Sequence, residues 1–267
     1  MIEKVAKDIT DLEYKLINNF FPGPLTLILK KKDNVPSVVS AGLDTVGVRM
    51  PTNKVASDLI ELAGTPIAAP SANISGKPSG TNVEDIFDEF NNKVSFILDD
   101  GKTNIGLEST VVQVIDNKIH ILRPGKVTYE QLSKYAEVIL DSSILNEVKK
   151  EHKVTSPGMK YKHYAPVTRC VLVYSDNKEK LISKMQELEN DNNSLVITKD
   201  ENLKYFNNAI SYGTTLEEIS HNIFSILRKA DKSKKSLIII EGVSPNGLGL
   251  AIMNRLIRAC SYNYIKI

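Results

Sequence analysis

Cys170-Val171-Leu172-Val173-Tyr174 is a short run without a single charge, and its composition reads as a buried strand. Lys178 to Leu188 follows with the spacing of an amphipathic helix. The same alternation then continues to the end of the chain. Leu195 to Thr198 and Ala209 to Tyr212 read as strands. Thr215-Leu216-Glu217-Glu218 is a capping box that opens a helix to about Lys229. Leu237 to Glu241 reads as a strand and Leu250 to Cys260 as a helix. Strands that alternate with helices predict a small doubly wound α/β domain over residues 169–267.

Upstream the rhythm is lost. Thr155-Ser156-Pro157-Gly158-Met159-Lys160-Tyr161-Lys162-His163-Tyr164-Ala165-Pro166 has no apolar period and is bracketed by prolines, so 138–168 reads as an extended connector. Helical turns are expected between Tyr135 and Glu151. Within the connector, cations alternate with aromatics from Lys160 to Tyr164. The ordinary reading is a solvated linker; the sharper one is a flap that stacks on a base and meets phosphates.

Residues 1–137 show a third pattern. Thr10-Asp11-Leu12-Glu13 is another capping box, and its helix runs towards Phe20 until Pro22-Gly23-Pro24 stops it. Leu25 to Leu29, Thr45 to Met50, Pro66 to Pro70, Phe96 to Leu98, Ser109 to Ile115 and Ile119 to Leu122 read as strands, with a short helix at Val55 to Leu62. Many short strands and few helices predict an α+β unit around a mixed or antiparallel sheet.

Composition sets outer limits. The chain has 267 residues, 42% hydrophobic and 25% charged, which suits a packed core rather than a disordered chain. Its 34 basic and 32 acidic residues exclude nucleic-acid binding by bulk charge alone. No apolar run reaches the ~18 residues of a membrane span, and the first residues lack the apolar segment of a secretory signal. A cytoplasmic location is expected. Two cysteines, Cys170 and Cys260, are too few for a disulfide framework or a zinc cluster. No Walker-type phosphate loop, zinc-protease helix or nucleophile elbow occurs.

The informative polar residues gather at strand ends. Ser71, Asn73, Ser75 and Ser79 crowd a Gly/Pro-rich loop, where hydroxyls and backbone donors reach a ligand without bulk; the same residues also make ordinary solvent loops. Arginine is rare here, six against 28 lysines, and two of the six, Arg49 and Arg123, end strands beside prolines. That position suits an anion clamp or, equally, a surface ion pair. Gly106-Leu107-Glu108-Ser109-Thr110 puts a polar cluster at the start of a strand. Gly242 to Gly249 lies between a strand and a helix and reads as a tight turn or a ligand loop.

Six motifs stand in order: Phe21-Pro22-Gly23-Pro24-Leu25-Thr26, Val46-Gly47-Val48-Arg49-Met50-Pro51, Ala69-Pro70-Ser71-Ala72-Asn73-Ile74-Ser75-Gly76, Gly106-Leu107-Glu108-Ser109-Thr110-Val111, Leu122-Arg123-Pro124-Gly125, and Ser156 to Pro166. Together with Gly247 to Leu256 they resemble the long, two-domain form of the YrdC-like threonylcarbamoyl-AMP synthases, across essentially the whole chain. The resemblance implies a YrdC-like twisted mixed sheet followed by a small Rossmann-like domain. It implies synthesis of L-threonylcarbamoyladenylate from L-threonine, bicarbonate and ATP, with Mg²⁺ on the triphosphate, for N6-threonylcarbamoylation of tRNA. It places Thr45, Ser71, Asn73, Ser79 and Arg123 at ATP, with Tyr161 closing over the nucleotide. Arg49, Ala69 and Ser109 would hold L-threonine.

The family pattern also has an earlier segment with a threonine-rich turn and a lysine-x-arginine motif, which residues 1–21 do not match. The catalytic domain is therefore expected to be N-terminally incomplete, with activity weak or absent. The alternative is a nucleotide- or tRNA-binding module without turnover. A carbamoyl-transfer role like that of hydrogenase-maturation proteins is disfavoured, because zinc-finger and acylphosphatase-like segments are lacking.

Overall fold

The computed structural model describes residues 1–74, 80–101, 103, 106–141, 144, 166–189 and 193–267. It contains two five-stranded sheets, each in its own compact unit. The first unit comprises Met1–Pro70 and Glu108–Ile144; the second comprises Ser71–Leu107 and residues 166–267.

In the first unit, helix α1 (Asp11–Phe20) starts at the predicted capping box: Glu13 N–H donates to Thr10 Oγ1, and the Glu13 carboxylate accepts from Thr10 N–H. Strand β1 (Leu25–Lys30) alternates as predicted: Leu25, Leu27 and Leu29 are buried, while Thr26 and Ile28 lie half-buried on the other face. Strand β2 (Thr45–Val48) runs antiparallel to β1, with Leu27 opposite Val48 and Lys30 opposite Thr45. Strand β3 (Thr110–Ile115) runs parallel to β1, with Thr26 opposite Val111.

Asp116 and Asn117 then turn the chain with positive φ, a conformation these short polar side chains tolerate. The turn returns it as β4 (Lys118–Arg123), antiparallel to β3. Strand β5 (Val138–Leu140) adds in parallel beside β4. The order β2-β1-β3-β4-β5 is thus mixed, one of the two arrangements that the short-strand pattern leaves open. Helix α2 (Lys54–Ala63) carries an Asn53 cap.

Two expectations fail. Pro66 to Pro70 is not a buried strand but irregular and mostly exposed chain, since its bracketing prolines bring no N–H to a ladder. Phe96 to Leu98 also forms no strand; Phe96 is 87% and Leu98 64% exposed, so the apolar run has no sheet to join. Within Tyr135–Glu151, where helical turns are expected, Val138-Ile139-Leu140 forms the edge strand β5, and residues 142–143 and 145–151 lie outside the described residues. Helix α3 (Val83–Phe90), capped by Asn82, lies in a stretch without a predicted element. Between Thr128 and Gln131 another capping box starts the single-turn helix α4 (Tyr129–Leu132).

The second sheet follows the strand–helix rhythm closely. Strands β6 (Arg169–Tyr174), β7 (Ser194–Thr198), β8 (Ala209–Ser211), β9 (Leu237–Glu241) and β10 (Tyr264–Lys266) are all parallel, in the order β10-β6-β9-β7-β8. Helix α5 (Lys178–Leu188) packs Leu181 and Met185 against Val171, Val173, Val196 and Ile239. Helices α6 (Leu216–Lys232) and α7 (Leu248–Ala259) cover the opposite face over Leu172, Ile197, Ile238 and Ile240. Consecutive strand residues thus feed alternate layers, the arrangement of a doubly wound sheet.

Gly242 to Gly249 forms a tight turn into α7, closed by Gly249 N–H donating to Asn246 O at 2.9 Å. Cys170 and Cys260 are buried free thiols, and burial, reinforced by the neighbouring Cys170, pushes the Cys260 thiol up. No helix among the described residues is long and apolar enough to cross a membrane.

Candidate functional site

One end of the first sheet gathers the polar residues that the motifs single out. Ser109 immediately precedes β3, beside the start of β1 and the end of β4. Its hydroxyl shares a 2.6 Å hydrogen bond with Thr26 Oγ1. From β4, Arg123 donates to the Ser109 carbonyl through Nε at 3.2 Å and Nη2 at 2.9 Å, and Nη2 also lies 3.2 Å from Ser109 Oγ. The planar guanidinium fork thus clasps one peptide oxygen and one hydroxyl, a geometry that lysine cannot reproduce.

The backbone around Ser109 is pinned on both sides. Thr110 N–H donates to Pro24 O at 2.9 Å, and the buried Thr110 hydroxyl donates to Val127 O at 2.7 Å. Gly125 lies so close that a Cβ there would stand 2.4 Å from Thr110 N and 2.6 Å from Glu108 O. Only a residue without a side chain leaves the Ser109 peptide where Arg123 reaches it.

Arg49 follows β2 directly, one residue beyond the Leu27–Val48 pair where the ladder ends. Residues paired across strands share a face, as do alternate residues along one strand. Thr26, Ser109 and Arg123 therefore face one side of the sheet, opposite the buried Leu25, Leu27 and Leu29. Arg49 is exposed, and no carboxylate among the described residues pairs with it. Its fork is open to an anionic ligand, whereas the Nε–Nη2 edge of Arg123 is spent on Ser109.

Thr45 shares the parity of Arg49 but sits four residues away, about 13 Å along the strand. It pairs with Lys30, which Asp8 holds charged: the Asp8 hydrogen bond, then its charge, raises the lysine and lowers the carboxyl. A ligand touching both Thr45 and Arg49 must be long. Ala69 lies exposed in the irregular chain before Pro70.

Ser71 and Asn73 belong to the second unit. Asn73 N–H donates to Ser71 O at 3.0 Å, and the Asn73 amide donates to Ile74 O at 3.1 Å, folding the segment into a tight turn. Ser79 and Tyr161, with the rest of the Lys160–Tyr164 alternation, lie outside the described residues. Thr26, Thr110 and Gly125 are the structural partners that spacing alone misses; all three sit inside or beside the recognised motifs, where their proximity to Ser109 is a tertiary fact. Among the described residues, no three His, Cys, Asp or Glu side chains converge as metal ligands.

Comparison with known proteins shows the family. Residues 1–125 match a Sua5–YciO–YrdC family model described as telomere recombination, and residues 127–261 match the C-terminal domain model of threonylcarbamoyl-AMP synthase. The chain is 41% identical over its whole length to the threonylcarbamoyl-AMP synthase of Pyrococcus abyssi, of which it covers 78%. It is 38% identical to the enzyme of the same name from Bacillus subtilis, matching 94% of this chain and 73% of the relative. The crystal structure of P. abyssi Sua5 complexed with L-threonine superposes with a TM-score of 0.92 at 39% identity, over all of this chain and 78% of that one.

Proposed function

Since the chain belongs to the threonylcarbamoyl-AMP synthase family, we propose that it forms L-threonylcarbamoyladenylate and pyrophosphate from L-threonine, bicarbonate and ATP. The product would serve N6-threonylcarbamoylation of tRNA, in the cytoplasm, where ATP and tRNA meet. The observation that carries this reading is the Thr26–Ser109–Arg123 cluster, with the exposed fork of Arg49 directly after the neighbouring strand β2.

The chemistry suits that cluster. The threonine amine and bicarbonate condense to a carbamate with loss of water. A carbamate oxygen then attacks the α-phosphorus, and the bond to pyrophosphate breaks as the new P–O bond forms. Neither step needs a protein nucleophile. What the protein must supply is the orientation of two anions and compensation for charge as pyrophosphate leaves.

Arg49 is assigned to the threonine carboxylate, which its fork can hold bidentately. Ser109, fixed by Thr26 and Arg123, offers its hydroxyl beside it, and Ala69 leaves room for the ligand. Arg123 adds positive charge on the phosphate side. Thr45, Ser71 and Asn73 are assigned to the nucleotide, with Ser79 and Tyr161 completing that set by resemblance. Mg²⁺ enters as part of the MgATP substrate, bound by the phosphates themselves.

The Arg49 assignment has a direct test. Calorimetric titration with L-threonine should show Arg49→Ala binding about 10- to 100-fold more weakly, the worth of a charge-assisted bond of about 1.5–3 kcal/mol. Arg49→Lys should lose part of that affinity, and ATP binding without threonine should stay within about twofold of the parent. Unchanged threonine affinity in a folded Arg49→Ala chain would overturn the assignment.

A further inference from the structure

We infer that Glu89 and Arg228 are positioning residues for the Ser71–Asn73 segment, so that helix α6 of the second sheet holds the nucleotide-side loop in its binding shape. The inference rests on the proposed ATP role of that segment; the contacts themselves do not.

The chain of contacts is short and lies within one compact unit. Ile74, the residue after Asn73, donates its backbone N–H to Glu89 Oε2 at 2.8 Å. The other carboxylate oxygen, Glu89 Oε1, meets Arg228 Nη1 at 2.8 Å. Both partners are withdrawn from water, with side chains 6% and 15% exposed. A carboxylate so placed is retained only with its charge compensated and its oxygens bonded. Glu89 sits near the end of α3, whose start is fixed by Asn82 accepting from Asp85 N–H at 2.8 Å. Arg228 lies in the C-terminal half of α6, a 17-residue helix with six buried residues.

A second anchor ties the same segment to α6. Leu107 is buried in the core with Ile219, Ile223, Phe224 and Leu227. Gly106 runs against the helix so closely that a Cβ would stand 2.3 Å from Ser220 O and 2.4 Å from His221 O. The described parts of this stretch are therefore held on α6 at two places, through Glu89 and through Gly106–Leu107, and Glu89 converts the first into a hydrogen bond on the Ile74 amide. Within Ser71–Ile74 the turn is closed by local bonds, Asn73 N–H to Ser71 O and the Asn73 amide to Ile74 O, and short local turns of this kind open readily. An external hold on its last amide raises the fraction of time it spends ready for ligand.

Native-state hydrogen exchange at Ile74, read alongside steady-state kinetics, tests this. In Arg228→Ala the Ile74 amide should exchange about tenfold faster and KM for ATP should rise about tenfold, as when the competent fraction of a binding state falls to about a tenth. The kcat and the KM for L-threonine should stay within about twofold, and Arg228→Lys should recover most of both effects, which general destabilisation would not do. Should Arg228→Ala fail to fold, Glu89→Gln provides the reading: it keeps an acceptor for Ile74 but loses the ion pair, and should show the same direction at smaller size. Unaltered Ile74 exchange in a folded variant would overturn the inference. A parent chain without turnover would count against the proposed function alone, since the exchange measurement needs no substrate.

Discussion

Gly125→Ala is expected to cost both stability and activity. The new Cβ would stand 2.4 Å from Thr110 N, 2.6 Å from Glu108 O and 2.7 Å from the carbonyl carbon of Ser109, all backbone atoms. No side-chain rotation relieves such contacts, so β3 or the Arg123–Gly125 turn must shift. Overpacking of this kind costs about 1–3 kcal/mol, occasionally more, and the transition of the first unit should move to lower urea with an unchanged slope. Activity should fall further than stability, because the shift displaces the peptide that Arg123 clasps. Gly64→Ala is the comparison. Gly64 has a positive φ of 63° but open space around it, so that variant should lose about 1 kcal/mol and keep its turnover. Equal loss of turnover in both variants would contradict a local role for Gly125.

The second large effect is expected at Arg123. Its three bonds to Ser109 use Nε and Nη2 together, a planar fork that also keeps a permanent charge at the end of β4. Arg123→Lys retains the charge but can offer only one ammonium to the carbonyl or the hydroxyl. Loss of position by about an ångström costs on the order of 100-fold in turnover. The variant should therefore lose about that much kcat/KM in pyrophosphate release, with most of the loss in kcat. Ser109→Ala removes the hydroxyl and its Thr26 partner bond but leaves the clasped carbonyl, so its loss should be smaller. A lysine variant with parental kcat would mean that charge alone matters and that the fork does not position Ser109.

These expectations mark where sequence reading stops. The alternation from Cys170 onward discloses a doubly wound sheet because each strand and helix carries its own local signature, and two of the three capping boxes are read as Thr-x-x-Glu, while the Thr128–Gln131 box is found only in the structure. Arg49, Ser109 and Arg123 are legible as rare or polar residues at strand ends. What spacing does not show is that Arg123 turns back 14 residues to Ser109, or that Thr26 from a strand 83 residues away shares a hydrogen bond with the same hydroxyl. Those contacts depend on β3 lying between β1 and β4.

The failed strands have a related cause. Pro66 to Pro70 and Phe96 to Leu98 carry apolar composition, but composition reports a wish for burial and not the presence of a neighbour to pair with. The connection between Ile74, Glu89 and Arg228 is equally silent in sequence, since Glu89 and Arg228 are separated by most of the second unit and each reads alone as an ordinary surface charge.

The measurement that tests the account most directly is threonine-dependent pyrophosphate release by the purified chain given MgATP, L-threonine and bicarbonate. Mass spectrometry would identify the nucleotide product. Pyrophosphate and threonylcarbamoyl-AMP appearing together, both absent without threonine or without bicarbonate, is the predicted result. A folded chain that binds ATP and L-threonine yet releases no threonine-dependent pyrophosphate would contradict it, and would leave a binding module in place of a synthase.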